Sequence, residues 1–444
     1  MAGGNITVRE NQRICVIGIW HLGSVVSACL ADLGYLVTGV DADRRRVSDL
    51  NNGAPPVFEQ GLEELIKNNL NSGRLSYTTD ISYALENCNF VLITHDTPVD
   101  DDDEVDLSPI FDTTTELAKY LEDDSIIIVS SQVPIGTCDH IKAVINQNNP
   151  SLEVDIAYSP ENLRLGRAIE CFKNPERIVI GADSDSTLDR VEVLFNVIPA
   201  PKLRMNLRTA EMTKHALNAF LATTISFANE IANLCDELGV DAISVAAALQ
   251  SEARIGSGLP LLPGLAFSGG TLARDIKILK KVSESFGYEA PLIKGVWEVN
   301  QQQNKQVIKK LKKIYGSVDN LSIGILGLTY KAGTSTLRRS ASLEIIKELI
   351  NKGVIVKAFD PKADPEEIKL HKGFEFCADP YTAARETDAL IILTDWPEFK
   401  NLDFNLIKSS MKRPVLIDGK NMLDSEQMIR TGFLYSGIGR GQKL

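Results

Sequence analysis

Twice in this 444-residue chain a short apolar run enters a glycine turn, a helical stretch follows, and a second apolar run ends in an acid. The first copy is RICVIG (13–18), SVVSACLADLG closing at Gly34, and YLVTGVD (35–41). The second is LSIGILGL from Leu321, ASLEIIKELINKG closing at Gly353, and VIVKAFDP with Asp360 at the strand end. Strand, glycine turn, helix, strand and acid in that order build a βαβ unit. More strand-like runs follow the first copy at 90–95, 125–131, 154–160 and 177–182, with helical stretches near 59–72, 107–121 and 138–147. DALIILTDW and PVLIDGKN follow the second. Such alternation predicts mostly parallel sheets covered on both faces. Between about 207 and 315 the strand signal vanishes and helical periodicity takes over, longest at 209–237. The apolar stripe of that longest stretch reads as core, a helix-mediated dimer interface included. The expected fold class is α/β: two Rossmann-like doubly wound domains (1–206 and 317–444) joined by a central helical domain (207–316).

A net charge of -12 argues against nucleic-acid or anionic-membrane partners, which call for a basic surface. It leaves room for an anionic small ligand in a local basic pocket. The seven cysteines show no CxxC or metal-like spacing, which fits a reducing compartment. The first twelve residues lack an apolar core, and no apolar run reaches the roughly 18 residues of a spanning helix. A cytoplasmic location is expected. The acidic run 100–104 reads as a solvated loop. The five histidines lack metal-ligand spacing, so no metal is expected.

The first glycine turn reads Gly18-Ile19-Trp20-His21-Leu22-Gly23. In a dinucleotide turn the first glycine allows the tight bend, the second lets backbone approach the pyrophosphate, and the third permits close helix–strand packing. Here Trp20 holds the second place. Asp41 ends the second strand, where a carboxylate accepts from ribose hydroxyls and repels a 2′-phosphate, favouring NAD over NADP. Arg44, Arg45 and Arg46 lie close by and weaken that preference. The alternative is a Rossmann-like domain that binds no dinucleotide.

The chain resembles the UDP-glucose/GDP-mannose dehydrogenases, NAD-dependent nucleotide-sugar 6-dehydrogenases, from about Arg13 to Asn421. The resemblance rests on PVFEQGLEELI (56–66), DTPVD (96–100), VPIGT (133–137), SPENLRLG (159–166), NPERIVIG (174–181), KHALNAFLA (214–222), RIG (254–256), GGTLARD (269–275), LGLTYK (326–331) and DGKN (418–421) in that order. It implies a nucleotide-sugar substrate, a UDP-sugar rather than a GDP-sugar, and a homodimer through the central helix. It also implies a role in polysaccharide or glycoconjugate precursors.

The resemblance further implies residue roles. Lys214 would stabilise an alkoxide or oxyanion. Asn218, one helical turn on, would orient a water or the sugar hydroxyl. Asp275 would hold the Lys214 ammonium or a water, and Glu161 would act as general base. Gly18, Trp20, Leu22, Gly23, Asp41, Arg46, Thr97 and Gln132 would surround the cofactor. Arg254 and the glycine-rich loop, with Gly264, Phe267 and Gly270, would clamp the nucleotide diphosphate, Arg through its planar fork. Tyr330 and Lys331 would join them, and Arg338 would contact the sugar, in some relatives across a dimer.

The family's catalytic cysteine lies in a segment of the form GFGGSCFPKD. Aligned without gaps from Pro263, its place is taken by Thr271 and that of the lysine by Arg274, while Asp275 is kept. Leu165 stands at a family glutamate, and Ser335 and Thr336 at an acidic pair. The family oxidises a primary alcohol to an acid with two NAD, through a thiohemiacetal on the cysteine. A threonine hydroxyl needs a dedicated base to replace that thiol. Three readings follow: oxidation stopping after one hydride, full oxidation through the aldehyde hydrate, or a catalytically silent relative that binds nucleotide sugar or a protein partner.

Overall fold

In a computed structural model, residues 12–97, 105–160, 163–268 and 270–441 are described; the acidic run 100–104 and Glu161 lie outside them. The chain forms two compact units, Met1–Ala216 and Leu217–Leu444.

The first unit is an eight-stranded sheet in the order β3-β2-β1-β4-β5-β6-β7-β8. Its strands are β1 (Arg13–Ile17), β2 (Leu36–Val40), β3 (Leu75–Thr78), β4 (Phe90–Ile93), β5 (Ile126–Val129), β6 (Asp155–Tyr158), β7 (Ile178–Ala182) and β8 (Lys202–Met205). All neighbours pair parallel except β6 and β7. The central strands β4 and β5 are apolar throughout because helices bury both faces. Alternate residues therefore feed two cores: Ile14, Val16, Leu92 and Ile128 on one face, Cys15, Ile17, Val91 and Ile127 on the other. Helices α1 (His21–Asp32), α2 (Arg44–Asn51) and α3 (Thr137–Asn148) start at the carboxyl ends of β1, β2 and β5. The strands unmarked by the sequence, β3 and β8, are the two at the sheet edges. Their short runs, LSYT and KLRM, keep exposed or half-exposed positions and carry no continuous apolar signal.

A 32-residue helix, α4 (Leu207–Leu238), carries the unit boundary within it. In the second unit α5 (Ala242–Ser251), α6 (Thr271–Ser285), α7 (Pro291–Gln303) and α8 (Lys305–Tyr315) complete the helical stretch. A six-stranded parallel sheet follows, ordered β11-β10-β9-β12-β13-β14. It comprises β9 (Ser322–Leu326), β10 (Ile355–Phe359), β11 (Glu375–Phe376), β12 (Ala389–Ile392), β13 (Val415–Asp418) and β14 (Leu434–Gly437). Here too the strands missed, β11 and β14, are edges. Both sheets reverse strand order beside their first strand, and ligands of open α/β sheets bind at the carboxyl ends there. No helix of the described residues is long and apolar enough to cross a membrane.

Candidate active site

In the first unit the turn after β1 is closed by two contacts that only glycine allows. Gly18 has φ +87°, and a Cβ there would lie 2.6 Å from His95 Nδ1. A Cβ on Gly23 would lie 2.1 Å from the Gly18 carbonyl oxygen. Trp20, by contrast, has φ -74°, a torsion open to any residue, and its side chain is 45% exposed. Its carbonyl accepts the Ser24 N–H, starting α1. Leu22 turns into the apolar core, leaving only its backbone for a ligand.

Asp41 stands at the end of β2. Its Oδ2 accepts from the Ile19 N–H at 3.1 Å and from Arg46 Nη1 at 2.6 Å, and its Oδ1 from the Asp43 N–H at 3.0 Å. A carboxylate offers about four lone-pair sites, so Asp41 retains capacity for a ribose hydroxyl. The tight glycine turn, the amino end of α1 and this acid fit the phosphates and ribose of NAD. Across the switch point, the Thr97 hydroxyl donates to the Gln132 carbonyl at 3.0 Å, joining the loops after β4 and β5. His95 reaches Thr113 through Nε2 at 2.8 Å, and burial holds its imidazole below its ordinary pKa.

The second unit repeats the turn but not the cradle. A Cβ on Gly327, φ +97°, would meet Thr394 at 2.4 Å, as Gly18 meets His95. Asp360, in the position of Asp41, is saturated. Its Oδ2 accepts from the Leu328 and Thr329 N–H groups, the Thr329 hydroxyl and Trp396 Nε1, and its Oδ1 from the Lys362 and Ala363 N–H groups, all within 2.7–3.1 Å. It organises its own loops and has no acceptor left for a ribose. Tyr330 is half-buried, with Lys331 Nζ 5.6 Å from its ring centre, while Lys331 and Arg338 are exposed. The DGKN turn adds Lys420, whose amine burial pushes below the usual lysine range despite Asp395 and Asp418 nearby. The sequence marked that motif without marking the lysine.

The polar residues expected at the reaction centre lie on α4 and α6. Lys214 is half-buried, and Asn218 follows one turn later. Asn218 Nδ2 donates to Asp275 Oδ2 at 2.5 Å, with Asn218 6% and Asp275 0% exposed. Thr271 opens α6, is exposed, and makes no hydrogen bond to the described residues. Gly270 caps the same helix. Arg254 is exposed and paired with Glu252 at 3.0 Å.

Sequence reading missed the amides that shape the loop before α6. Asn229 accepts the Gly264 N–H at 2.9 Å and donates to the Leu265 carbonyl. Asn304 accepts from Ala266, Gln303 donates to the Gly264 carbonyl, and Asn300 both accepts from and donates to Phe267. Asn421 donates to the Pro263 carbonyl at 3.0 Å. Buried amides at helical positions look like ordinary polar residues until the loop they grip is known.

The sequence also concealed Glu211. It is fully buried and accepts the Gly136 N–H at 2.6 Å and the Cys138 N–H at 2.9 Å, at the amino end of α3. One turn on, His215 Nε2 donates to the Val133 carbonyl at 2.8 Å. Together they bolt the VPIGT turn to the stretch of α4 that carries Lys214. Glu211→Ala strands one buried and one half-buried N–H group and is expected to cost about 2–3 kcal/mol of stability. Calorimetry should show a Tm lower by several degrees, with Glu211→Gln in between. An unchanged Tm would mean the carboxylate contributes nothing net.

Comparison with known proteins agrees with this arrangement. The UDP-glucose/GDP-mannose dehydrogenase family matches in three stretches: its NAD binding domain over residues 12–198, its central domain over 208–302 and its UDP binding domain over 324–425. The chain is 37% identical over 431 residues to the UDP-glucose 6-dehydrogenase TuaD of Bacillus subtilis, covering 97% of this chain and 93% of that protein. It is 36% identical to the UDP-glucose 6-dehydrogenase of Rhizobium meliloti, covering 97% and 100%. A solved UDP-glucose dehydrogenase from Pyrobaculum islandicum superposes with a TM-score of 0.87 at 30% identity, covering 96% of this chain and 98% of that one. The chain belongs to the UDP-glucose/GDP-mannose dehydrogenase family and is an NAD-dependent oxidoreductase acting on CH–OH groups.

Proposed function

We propose that this protein oxidises the C6 hydroxyl of a UDP-sugar without a thiohemiacetal and releases the aldehyde after one hydride transfer. The observation that carries the reading is the buried Asn218–Asp275 pair one helical turn from Thr271, which is exposed and bonds none of the described residues. The relatives' shared designation supports a UDP-sugar and its sixth carbon. Bound NAD supplies the hydride acceptor. Lys214 supplies a fixed cation for the developing alkoxide, an effect far larger in a dry cleft than in water. Asn218, oriented by Asp275, holds the hydroxyl or a water that takes its proton. In a nucleophilic site a base lies within hydrogen-bond reach of the attacking atom, and Thr271 has none among the described residues. Glu161, Thr97, Arg254 and Arg338 keep their expected roles in this proposal, the sugar nucleotide being held by 317–444 and the loop before α6. Cys15, Cys29, Cys88 and Cys138 offer no substitute thiol: all four are buried, and burial pushes Cys29 and Cys88 up to about 12 and raises Cys15 and Cys138 as well.

A second reading has support from Asp275. A carboxylate with 0% exposure, already holding an amide, can also hold a water and help hydrate the aldehyde, which would permit a second oxidation. Counting NADH per sugar consumed across UDP-, GDP- and dTDP-sugars tests both. One equivalent supports release of the aldehyde and two the hydrate route. Sugar binding with no NADH from any sugar would overturn both.

We also propose a homodimer through α4. Phe220, Phe227 and Leu234 recur every seventh residue and are 55%, 48% and 55% exposed, with Leu238 at 75%. A sustained heptad of exposed apolar groups is the seam of a helix pair. Light scattering should give twice the chain mass, and Phe227→Asp should halve it. A monomeric wild type would refute the proposal.

A further inference from the structure

A hollow of about 320 Å³ opens beside Asp41, within the range of about 300–1,000 Å³ typical of small-molecule pockets. Trp20, Pro55 and Pro56 line it with Arg45 and Arg46, whose carboxylate neighbours Asp49 and Asp43 stand in the same wall. Two features distinguish it from an ordinary surface dent. First, one of its walls is an indole left 45% exposed, at the position where the fingerprint would otherwise have a bare glycine. Second, its rim carries Arg46, which already grips the ribose-site carboxylate at 2.6 Å, and Arg45, whose guanidinium has only a loose 3.8 Å contact to Asp49. A flat π face, two proline rings and two guanidinium planes suit a planar, electron-rich heteroaromatic ring, not a sugar or a phosphate.

We propose that Trp20 is the stacking wall of the adenine subsite for NAD, and that this chain exchanges the close pyrophosphate approach of a second glycine for affinity at the purine. Trp20 has a negative φ, -74°, so this place in the turn does not call for glycine through a left-handed backbone. The indole shares this hollow with Arg45 and Arg46, and Arg46 bonds the acid placed to receive the ribose, so an adenine joined to that ribose would lie close by. The inference rests on the NAD-dependent reading of the cradle and adds the residue that reads the base.

The test is calorimetric titration with NADH, ADP-ribose, AMP and nicotinamide mononucleotide on wild type, Trp20→Ala and Trp20→Phe. Trp20→Ala should weaken AMP and ADP-ribose about tenfold or more, the size of stacking a base on an aromatic ring. Trp20→Phe should stay within about threefold, since it keeps a π face, which separates stacking from any folding defect. Nicotinamide mononucleotide should bind equally to all three. ADP-ribose should also quench wild-type tryptophan emission, and much less so in Trp20→Phe, because Trp396 is buried at 5% exposure and Trp297 is half-buried with Lys277 Nζ 5.1 Å from its ring centre. Equal or tighter binding of AMP to Trp20→Ala would overturn the proposal and make the indole an obstruction. Failure of wild type to bind NADH at all would instead overturn the cofactor reading beneath it.

Discussion

Replacing Lys214 with alanine is expected to lower kcat about 10²–10³-fold, with KM for the sugar nucleotide far less affected. As hydride leaves, the sugar oxygen becomes alkoxide-like, and a fixed donor aimed at it acts on the transition state more than on the ground state. Lys214 is half-buried on a helix held in place at Glu211 and His215, so its position costs little reorganisation during reaction. Lys214→Arg should recover only part of the rate, because a planar fork does not reproduce a compact ammonium. Steady-state kinetics with NAD in excess reads the split. A Lys214→Ala enzyme within about threefold of wild-type kcat would remove this amine from the chemical step.

Thr271→Cys is expected to raise the NADH yield from about one to about two per sugar consumed, with the uronic acid as new product. The substituted thiol would sit at the first position of a 15-residue helix. The positive end of a helix lowers a thiol's pKa from its usual value of about 8.5, so more thiolate is present near neutrality. That thiolate can add to an aldehyde and present the adduct for a second hydride loss, which the threonine hydroxyl cannot do without a base. NADH absorbance and mass spectrometry of the sugar product read the outcome together. If wild type already gives two equivalents, water has taken the place of sulfur and the cysteine is superfluous. If the variant still gives one, the loop no longer brings position 271 to the aldehyde.

The inner strands were legible because each is buried on both faces and reads as an unbroken apolar run, as in β1, β4, β5 and β12. Edge strands were not, since a half-exposed KLRM resembles any loop. Helical spacing alone put Lys214 and Asn218 on one face. It could not supply the Asn218 partner, Asp275, which lies 57 residues away. Nor could it reveal Glu211 or the five loop-gripping amides, whose importance depends on backbone groups 33 to 158 residues distant.

Asp41 and Asp360 show most directly where sequence ends. Both close a second strand after a glycine turn, and the local pattern treats them alike. Residue order fixed the two βαβ units and the helical stretch between them, because apolar periodicity and glycine torsions act over a few neighbours. Only the tertiary structure decided which acid remains open to a ribose. The donors that saturate Asp360 come from residues 328, 329, 362, 363 and 396, brought together by three separate strand ends. A carboxylate has a limited number of lone pairs, and what occupies them is settled by distant chain segments meeting in space.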